Sequence, residues 1–149
     1  MSQGLRSILF VWLSGIFVVA WSQNHVQWSG RYDAAAQQIV VTGLIDSSWH
    51  VYSPKTDPGL GPIALSIRLM EGKGIKKQGG ARFSPEPQAH MDENFGGTVY
   101  VWEKEVTVQQ KVKLDKDCNE VKAVINYMIC DETQCLPPID VELIILLNP

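Results

Sequence analysis

Residues 120–140, EVKAVINYMICDETQCLPPID, contain an alternating apolar run, two cysteines and a double proline in one stretch. The alternating apolar positions are Val121, Ala123, Ile125 and Tyr127. A period of two over these positions is typical of a half-buried β-strand. The polar residues DETQ between Cys130 and Cys135 are typical of a turn, and the fixed φ angles of Pro137 and Pro138 keep residues 136–138 out of a regular ladder. The stretch therefore predicts a strand that ends in a turn between two cysteines.

Four further runs carry the same signal, since they are rich in β-branched or aromatic residues. The five predicted strands are Gln37–Ile45, Ile63–Met70, Thr98–Leu114, Glu120–Ile129 and Val141–Leu147. Turn-forming residues separate them. These turn formers include Gly30 with Asp33, Asp46–Ser48, Pro54–Pro62, Gly79-Gly80, Pro85–Pro87 and Gly96-Gly97. About seven or eight short strands between such turns predict an all-β fold, an immunoglobulin-like antiparallel β-sandwich.

Length and composition limit the number of domains and the kinds of partner. The chain has 149 residues, of which 45% are hydrophobic and 19% are charged, and this suits a single globular domain. The formal net charge is -3, and the basic cluster that nucleic-acid binding usually requires is missing. We therefore expect one domain and no nucleic-acid partner.

The first 22 residues differ from the rest and predict a secretory signal peptide. Residues 7–20, SILFVWLSGIFVVA, form a continuous apolar block. The block is shorter than the roughly 20 residues of a membrane span and suits the core of a signal peptide. We expect cleavage between Ser22 and Gln23, and export of a domain of residues 23–149 that has no membrane span. The alternative is an uncleaved signal anchor.

The three cysteines allow one intramolecular disulfide and leave one thiol over. Cys130 and Cys135 are the natural pair because the short polar loop brings their Cα atoms within disulfide reach. Cys118 is then a free, exposed thiol. A ring of six residues removes only about 2 kcal/mol of unfolded-chain entropy, so a structural disulfide adds little stability. A zinc site needs four ligands, and the remaining cysteine and histidines lack paired spacing.

A redox-active pair fits the local chemistry best, while a structural disulfide stays the alternative. A small ring at the end of a strand can open without unfolding a sandwich. Asp131 and Glu132 beside Cys130 are expected to raise the pKa of a free thiol there. A CxxC thiol at a helix N-terminus has a lowered pKa instead. We therefore expect a pair that exchanges only when a partner docks.

Three segments resemble the amino-terminal periplasmic domain of the DsbD family of thiol:disulfide interchange proteins. They are WHVYSP at 49–54, HMDENFGG at 90–97 and YMICDETQCLPP at 127–138, and the resemblance covers essentially the whole chain after the predicted signal peptide. The third segment is the most specific, because two cysteines around a short polar loop and then Pro-Pro form an uncommon string. The resemblance implies an immunoglobulin-like sandwich in the periplasm.

The same resemblance implies partners and a direction of electron flow. The domain would take electrons from a thioredoxin-like donor and pass them to exported thioredoxin-like or disulfide-isomerase acceptors, including reductants of cytochrome c maturation. Cys130 and Cys135 correspond to the redox pair. Cys135 would form the mixed disulfide with the partner, and Cys130 would resolve it. No cofactor or metal is implied.

Further residues correspond to the surroundings of the pair in that family. The resemblance implies a cap loop in which Phe95 shields the sulfurs while Asp92 and Glu93 disfavour a free thiolate. Tyr52 corresponds to an active-site aromatic residue, and His50 stands where a family member has a second tyrosine. The chain departs from that member in the cap, where one of two aromatic residues is an asparagine, and in the loop between the cysteines, which is one residue shorter.

Two functions remain open on the sequence. One is an exported thiol–disulfide exchange domain, a protein-disulfide reductase component, and the other is a non-catalytic immunoglobulin-like binding or assembly module with a structural disulfide. A free-standing relative of the family would take its electrons from another protein, and a piece of a longer protein would take them from its own remaining domains. Trp28, Trp49 and Trp102 are expected to pack in the core or on sheet faces.

Overall fold

The computed structural model describes residues 25–70 and 74–147, and the predicted signal peptide lies outside them. The described residues form eleven β-strands and one short 3-10 turn, Pro58–Leu60. The strands are β1 (Val26–Asp33), β2 (Gln38–Ile45), β3 (His50–Tyr52), β4 (Ser66–Met70), β5 (Ile75–Lys77), β6 (Arg82–Ser84), β7 (Gln88–Asp92), β8 (Gly97–Trp102), β9 (Glu105–Leu114), β10 (Glu120–Cys130) and β11 (Cys135–Leu146). None of the described residues belongs to a helix that is long and apolar enough to cross a membrane.

The strands form two sheets in which all neighbouring strands are antiparallel. One sheet has the order β1-β2-β9-β5, with β6 also paired to β9. The other has the order β11-β10-β3-β8-β7, with β4 also paired to β10. Both sheets contribute to one buried core, so the predicted all-β, immunoglobulin-like sandwich is confirmed.

Alternation along the strands places one face of each sheet in this main core. The first sheet contributes Val26, Ile39, Val41, Val106, Val108 and Val112, among others. The second contributes Val51, Trp102, Val121, Ile125, Tyr127, Ile129 and Ile145, among others. The opposite face of the second sheet therefore points away from the main core.

The predicted strands are present, with four differences. The run Ile63–Met70 is a strand only from Ser66 onward. The run Thr98–Leu114 is two strands, because Glu103 and Lys104 turn the chain between β8 and β9. The last strand begins at Cys135 and not at Val141. The described residues hold eleven strands where seven or eight were expected. The additional strands include β3, β5 and β6, which have three residues each and are too short to show a period.

Gly30 was expected in a turn and instead lies within β1, where it pairs with Val41. A Cβ at this position would lie 2.7 Å from Cδ1 of Ile145 on the edge strand of the other sheet. The missing side chain leaves room for that isoleucine, so the glycine is required by packing between the sheets and not by a turn.

The double proline interrupts the ladder between β10 and β11, as predicted. The register shifts between Tyr127 and Ile129, where Pro137 and Pro138 stand opposite the single residue Met128. Because β11 is an edge strand, the missing N–H donors of proline are tolerated there. The shift lies next to the cysteine pair.

Candidate redox site

Cys130 and Cys135 form a disulfide between paired neighbours in the sheet. Cys130 is the last residue of β10, Cys135 is the first residue of β11, and the two oppose each other in the antiparallel register. Their Cα atoms are 4.1 Å apart. Opposed residues of an antiparallel ladder already lie about 4.5–5.5 Å apart. The bond therefore links residues that the hairpin holds together, and it can open without separating distant elements.

The loop between the cysteines, residues 131–134, is organised by the side chain of Asp131. Its Oδ1 accepts hydrogen bonds from the backbone N–H groups of Thr133 at 2.7 Å and Gln134 at 2.9 Å. The hydroxyl of Thr133 donates to the same oxygen at 2.9 Å. These bonds, chiefly the one from the Thr133 N–H, lower the pKa of Asp131 to about 2. A negative charge therefore stands beside the pair at neutral pH.

The disulfide lies on the face of its sheet that points away from the main core. A second, smaller cluster forms on this outer face, and we call it the outer cluster. Its buried members are Tyr52, Val99, Val101 and Cys130, and Leu60, Phe95, Met128 and Cys135 are partly buried around them. The pair therefore belongs to a local cluster and not to the core that joins the two sheets.

The two cysteines differ in exposure. Cys130 is 0% exposed, since β10 has neighbours on both sides at this position, with His50 opposite it on β3. Cys135 lies on the edge strand β11 and is half-buried. Of the two, Cys135 is therefore the cysteine that an approaching thiol can reach.

Residues 92–96, the cap loop, close over the outer cluster. Asp92 is buried, and its Oδ1 accepts hydrogen bonds from the backbone N–H groups of Asn94 at 2.9 Å and Phe95 at 3.4 Å. The N–H of Gly96 donates to the carbonyl of Asp92 at 2.8 Å. Gly96 has a φ of 66°, which glycine adopts without strain. The conformation of the loop thus depends on one buried carboxylate and one glycine.

Phe95 packs from the cap loop onto the outer cluster. Its ring meets the ring of Tyr52 edge-on, with centroids 5.7 Å apart. It also lies against Gly61, where a Cβ would be 3.4 Å from Cδ1 of Phe95. Leu60 packs beside it, close to Gly97, where a Cβ would lie 2.7 Å from Cδ2 of Leu60. These two apolar side chains cover the cluster that contains the buried cysteine.

A chain of hydrogen bonds joins the cap loop to β3. The hydroxyl of Tyr52 donates to Oδ2 of Asp92 at 2.6 Å, and Nε2 of His50 lies 3.1 Å from the same hydroxyl oxygen. Because the single proton of the tyrosine goes to Asp92, the histidine is the donor in the second bond. Burial, followed by the hydrogen bond to Asp92, raises the pKa of Tyr52. Burial also lowers the pKa of His50, so both groups are uncharged at neutral pH.

Carboxylates surround the accessible side of the site. Glu93, Asp131 and Glu132 line a groove of about 170 Å³ beside His50. Glu103 and Glu132 line a second groove that also includes His50. Negative charges near a thiol disfavour its ionised form. The surroundings therefore favour the disulfide or the protonated thiols over a free thiolate.

The structure brings the site residues expected from the sequence into one place. Glu93 is exposed in the first groove, whereas His50, Tyr52 and Asp92 are buried beneath it. Sequence reasoning missed His90 as part of this site, although its ring centroid is 5.7 Å from that of His50. The sequence does contain a signal for His90. It stands two residues before Asp92 on β7, and side chains two residues apart on a strand lie on the same face of the sheet. Within residues 25–70 and 74–147 no group of three or more potential metal ligands occurs.

The other residues that the sequence singled out have packing roles. Trp102 is buried in the main core, and Trp28 and Trp49 are partly buried against it. Cys118 is half-buried and not exposed, because it packs against the main core between β9 and β10. It forms no disulfide, and its thiol donates to the carbonyl of Glu120 at 3.6 Å.

Comparison with known proteins identifies the family of the chain. A sequence profile of the family described as "Thiol:disulfide interchange protein DsbD, N-terminal" matches residues 18–146. A search among curated protein sequences gives no match.

Three solved structures share the fold at low sequence identity. The reduced DsbD N-terminal domain of Neisseria meningitidis is 22% identical, with a TM-score of 0.58 over 83% of this chain and 86% of that chain. The N-terminal periplasmic domain of ScsB from Proteus mirabilis is 18% identical, with a TM-score of 0.60 over 84% of this chain and 47% of that chain. A complex of the DsbD and PilB N-terminal domains from Neisseria meningitidis gives 20% identity and a TM-score of 0.55, over 78% of this chain and 80% of that chain. At such identity the likeness supports the fold alone.

Proposed function

The chain belongs to the family of DsbD N-terminal domains of thiol:disulfide interchange proteins, and from that premise we propose that it exchanges disulfides through Cys130 and Cys135. In this proposal the domain works in the periplasm, takes reducing equivalents from a thioredoxin-like donor and passes them to thioredoxin-like or disulfide-isomerase acceptors. The observation that carries the proposal is the asymmetry of the pair, a fully buried Cys130 bonded to a half-buried Cys135.

A structural role explains this disulfide less well. A disulfide stabilises most when it closes a long loop, and a ring of six residues contributes only about 2 kcal/mol. The main core that joins the two sheets does not contain the pair, which belongs to the outer cluster. Opening the bond therefore leaves the sandwich closed, as a reversible exchange requires.

Reduction of the domain begins when a donor thiolate attacks Sγ of Cys135. The Cys130–Cys135 bond breaks, Cys135 enters a mixed disulfide with the donor, and the electron pair leaves on the sulfur of Cys130, which takes up a proton. A second donor thiolate then attacks the donor sulfur of the mixed disulfide and releases Cys135. The donor leaves with its own disulfide, and the domain holds two thiols.

Transfer to the acceptor uses the same sulfurs in the opposite order. Cys135 attacks the acceptor disulfide as a thiolate and forms a second mixed disulfide. Cys130 then loses its proton and attacks Sγ of Cys135, which closes the ring. The acceptor leaves as a dithiol, so two electrons and two protons have passed through the pair.

The cap loop and the acidic surroundings restrict this exchange to docked partners. Phe95 covers the outer cluster, and Asp92 holds the loop that carries it. The carboxylates of Glu93 and Glu132 disfavour a free thiolate in the absence of a partner. In our proposal a partner displaces Phe95 as it brings its own sulfur to Cys135.

The proposal includes export of the domain and its docking partners. Residues 1–22 would be a signal peptide cleaved after Ser22, and residues 23–149 would be the exported domain. The Neisseria relative has been solved in complex with the N-terminal domain of PilB. We propose that the present chain docks thioredoxin-like proteins, among them reductants of cytochrome c maturation, and that its electrons come from a thioredoxin-like donor.

Trapping the mixed disulfide tests the proposal. Cys130→Ser, made in a Cys118→Ser background, retains the accessible sulfur but cannot close the ring. It should accumulate adducts with exported proteins that appear on non-reducing gels and disappear on reduction. Cys135→Ser is the matched control and should accumulate few, because its remaining cysteine is buried. Equal adducts from both variants, or none from Cys130→Ser, would contradict the assigned roles.

A further inference from the structure

His50 is the ionisable side chain placed opposite the buried cysteine. It pairs with Cys130 in the register between β3 and β10. Opposed residues of an antiparallel pair share a face, with Cβ atoms about 4.5–5.5 Å apart. His50 is itself only 7% exposed and lines both grooves, each of which also includes Glu132 from the loop between the cysteines. Its imidazole is therefore the neighbour of the thiol that appears when the bond opens.

The hydrogen bonds around His50 fix which ring nitrogen carries the proton. The Tyr52 hydroxyl gives its proton to Asp92, so Nε2 of His50 must donate to the hydroxyl oxygen. In the neutral ring Nδ1 then has a free lone pair. Nδ1 forms no hydrogen bond with any residue in the described part of the chain. The ring thus presents an unused proton acceptor on the side nearer its own backbone.

The proposed exchange needs such an acceptor at one step. When the ring closes, Cys130 has to lose its proton, and this residue is fully buried in the closed form of the domain. Asp131 is a poor base, because its hydrogen bonds lower its pKa to about 2. Both carboxylate oxygens of Asp92 already accept hydrogen bonds. A base is most effective when its pKa lies near the working pH, and imidazole meets that condition.

We propose that Nδ1 of His50 accepts the thiol proton of Cys130 when that sulfur attacks Cys135 and expels the acceptor. The inference rests on the proposed function and deepens it. In this step the bond between Cys135 and the acceptor sulfur breaks, and the Cys130–Cys135 bond forms. The acceptor sulfur leaves with the electron pair, and the imidazolium returns the proton to it or to water. His50 ends the step neutral, so no further reactant is needed.

The charged and titratable groups around His50 set the pH range of this step. Asp92, Glu103 and Glu132 favour its protonated form, whereas His90 and burial oppose it. Burial is the largest effect and lowers the pKa of His50 below its ordinary value of 6.5. The proton acceptor is therefore present at neutral pH and is lost as the medium becomes acidic.

A two-phase reaction with an aromatic disulfide, dithiobis(nitrobenzoate), tests the inference. The reduced protein is used in a Cys118→Ser background. Attack of Cys135 on the reagent releases one coloured aromatic thiolate, and attack of Cys130 on the resulting mixed disulfide releases the second and closes the ring. His50→Gln retains an N–H donor for Tyr52 but has no basic nitrogen. We expect its second phase to be slower by about tenfold or more at neutral pH. Its first phase should be unchanged.

The pH profile separates this role from a structural one. The wild-type closing rate should fall as pH drops below 6.5, and the rate of His50→Gln should approach that of wild type at alkaline pH, where the thiol ionises unaided. His25→Gln is the matched control, because His25 lines neither groove and bonds Asp46 instead, and it should keep the wild-type profile. Closing rates of His50→Gln within twofold of wild type at every pH would overturn the inference. If His50→Gln does not fold, the wild-type protein still provides the test. A wild-type closing rate that does not fall at acidic pH would also overturn the inference.

The same experiment distinguishes failure of the inference from failure of the proposed function. A wild-type protein that releases only the first thiolate cannot close its ring, and this result would refute the exchange function itself. A wild-type protein that shows both phases, with His50→Gln unaffected, would refute the role of His50 alone.

Discussion

Replacing Phe95 by alanine should make the disulfide more reactive toward small thiols. Phe95 is half-buried against the outer cluster and meets Tyr52 edge-on at 5.7 Å. Full burial of a phenylalanine side chain is worth about 1.5–3 kcal/mol, so half-burial contributes about 1–1.5 kcal/mol. The aromatic pair adds about 0.5 kcal/mol or more. Phe95 therefore stabilises the closed cap loop by about 1–2 kcal/mol.

A loss of this size changes the ratio of open to closed cap loop by a factor of about 5 to 30. If the small thiol reacts only with the open form, the rate of disulfide reduction should rise by the same factor. The rate is measured with excess dithiothreitol by quenching samples with an alkylating reagent and counting free thiols by mass spectrometry. Reduction by a docked protein partner should rise less, because the partner displaces the loop itself.

Phe83→Ala is the matched control. Phe83 is also half-buried, but it packs against the main core and stacks on Trp102, with ring centroids 5.6 Å apart. Its loss should lower the melting temperature and leave the rate of disulfide reduction within twofold of wild type. A folded Phe95→Ala variant that also reacts within twofold of wild type would refute the view that this ring limits access to the sulfurs.

Three further predictions concern His50, Asp92 and Gly30. The pKa of His50 is lowered in the folded state, so the unfolded chain binds its proton first as pH falls and the free energy of unfolding should decrease below pH 6.5. Urea unfolding between neutral and acidic pH should show this decrease in wild type, and His50→Gln should flatten it. In Asp92→Asn an uncharged amide replaces the carboxylate that accepts hydrogen bonds from the Tyr52 hydroxyl and two backbone N–H groups. This change should lower the free energy of unfolding by about 1.5–3 kcal/mol in the same assay. Unchanged stability would argue against Asp92 as the residue that holds the cap loop. Gly30→Ala puts a Cβ 2.7 Å from Ile145 and should cost about 1–3 kcal/mol by thermal denaturation while the disulfide exchanges at the wild-type rate. A melting temperature equal to that of wild type would show that β11 adjusts without strain.

Most of the long strands were predictable from the sequence, whereas β1 and the short strands were not. Along β9 the buried residues alternate, so period and burial agree. Along β2 and β10 the alternate positions are buried as well, and Val40, Val124 and Cys130 are buried in addition. β7 has the sequence QAHMD, and its strand conformation comes from pairing with β8. Gly30 shows the same limit, since the reason for a glycine there is a side chain 115 positions later in the sequence.

The candidate site divides in the same way. The cysteines, the turn between them and the double proline are contiguous, so their chemistry was visible in one stretch. Hydrogen bonds join His50 to Tyr52 and Tyr52 to Asp92. Tyr52 and Asp92 are 40 positions apart in the sequence, and only the folded sheet brings them together. The difference in exposure between the cysteines likewise depends on which of two neighbouring strands lies at the edge of the sheet.

The reduction potential of the Cys130–Cys135 pair tests the exchange function most directly. It is measured by equilibrating the protein in glutathione buffers of graded composition and counting free thiols at each. A pair that passes electrons between thioredoxin-like proteins should have a potential between about -180 and -270 mV. A potential well below about -300 mV is the range of structural disulfides and would contradict the account.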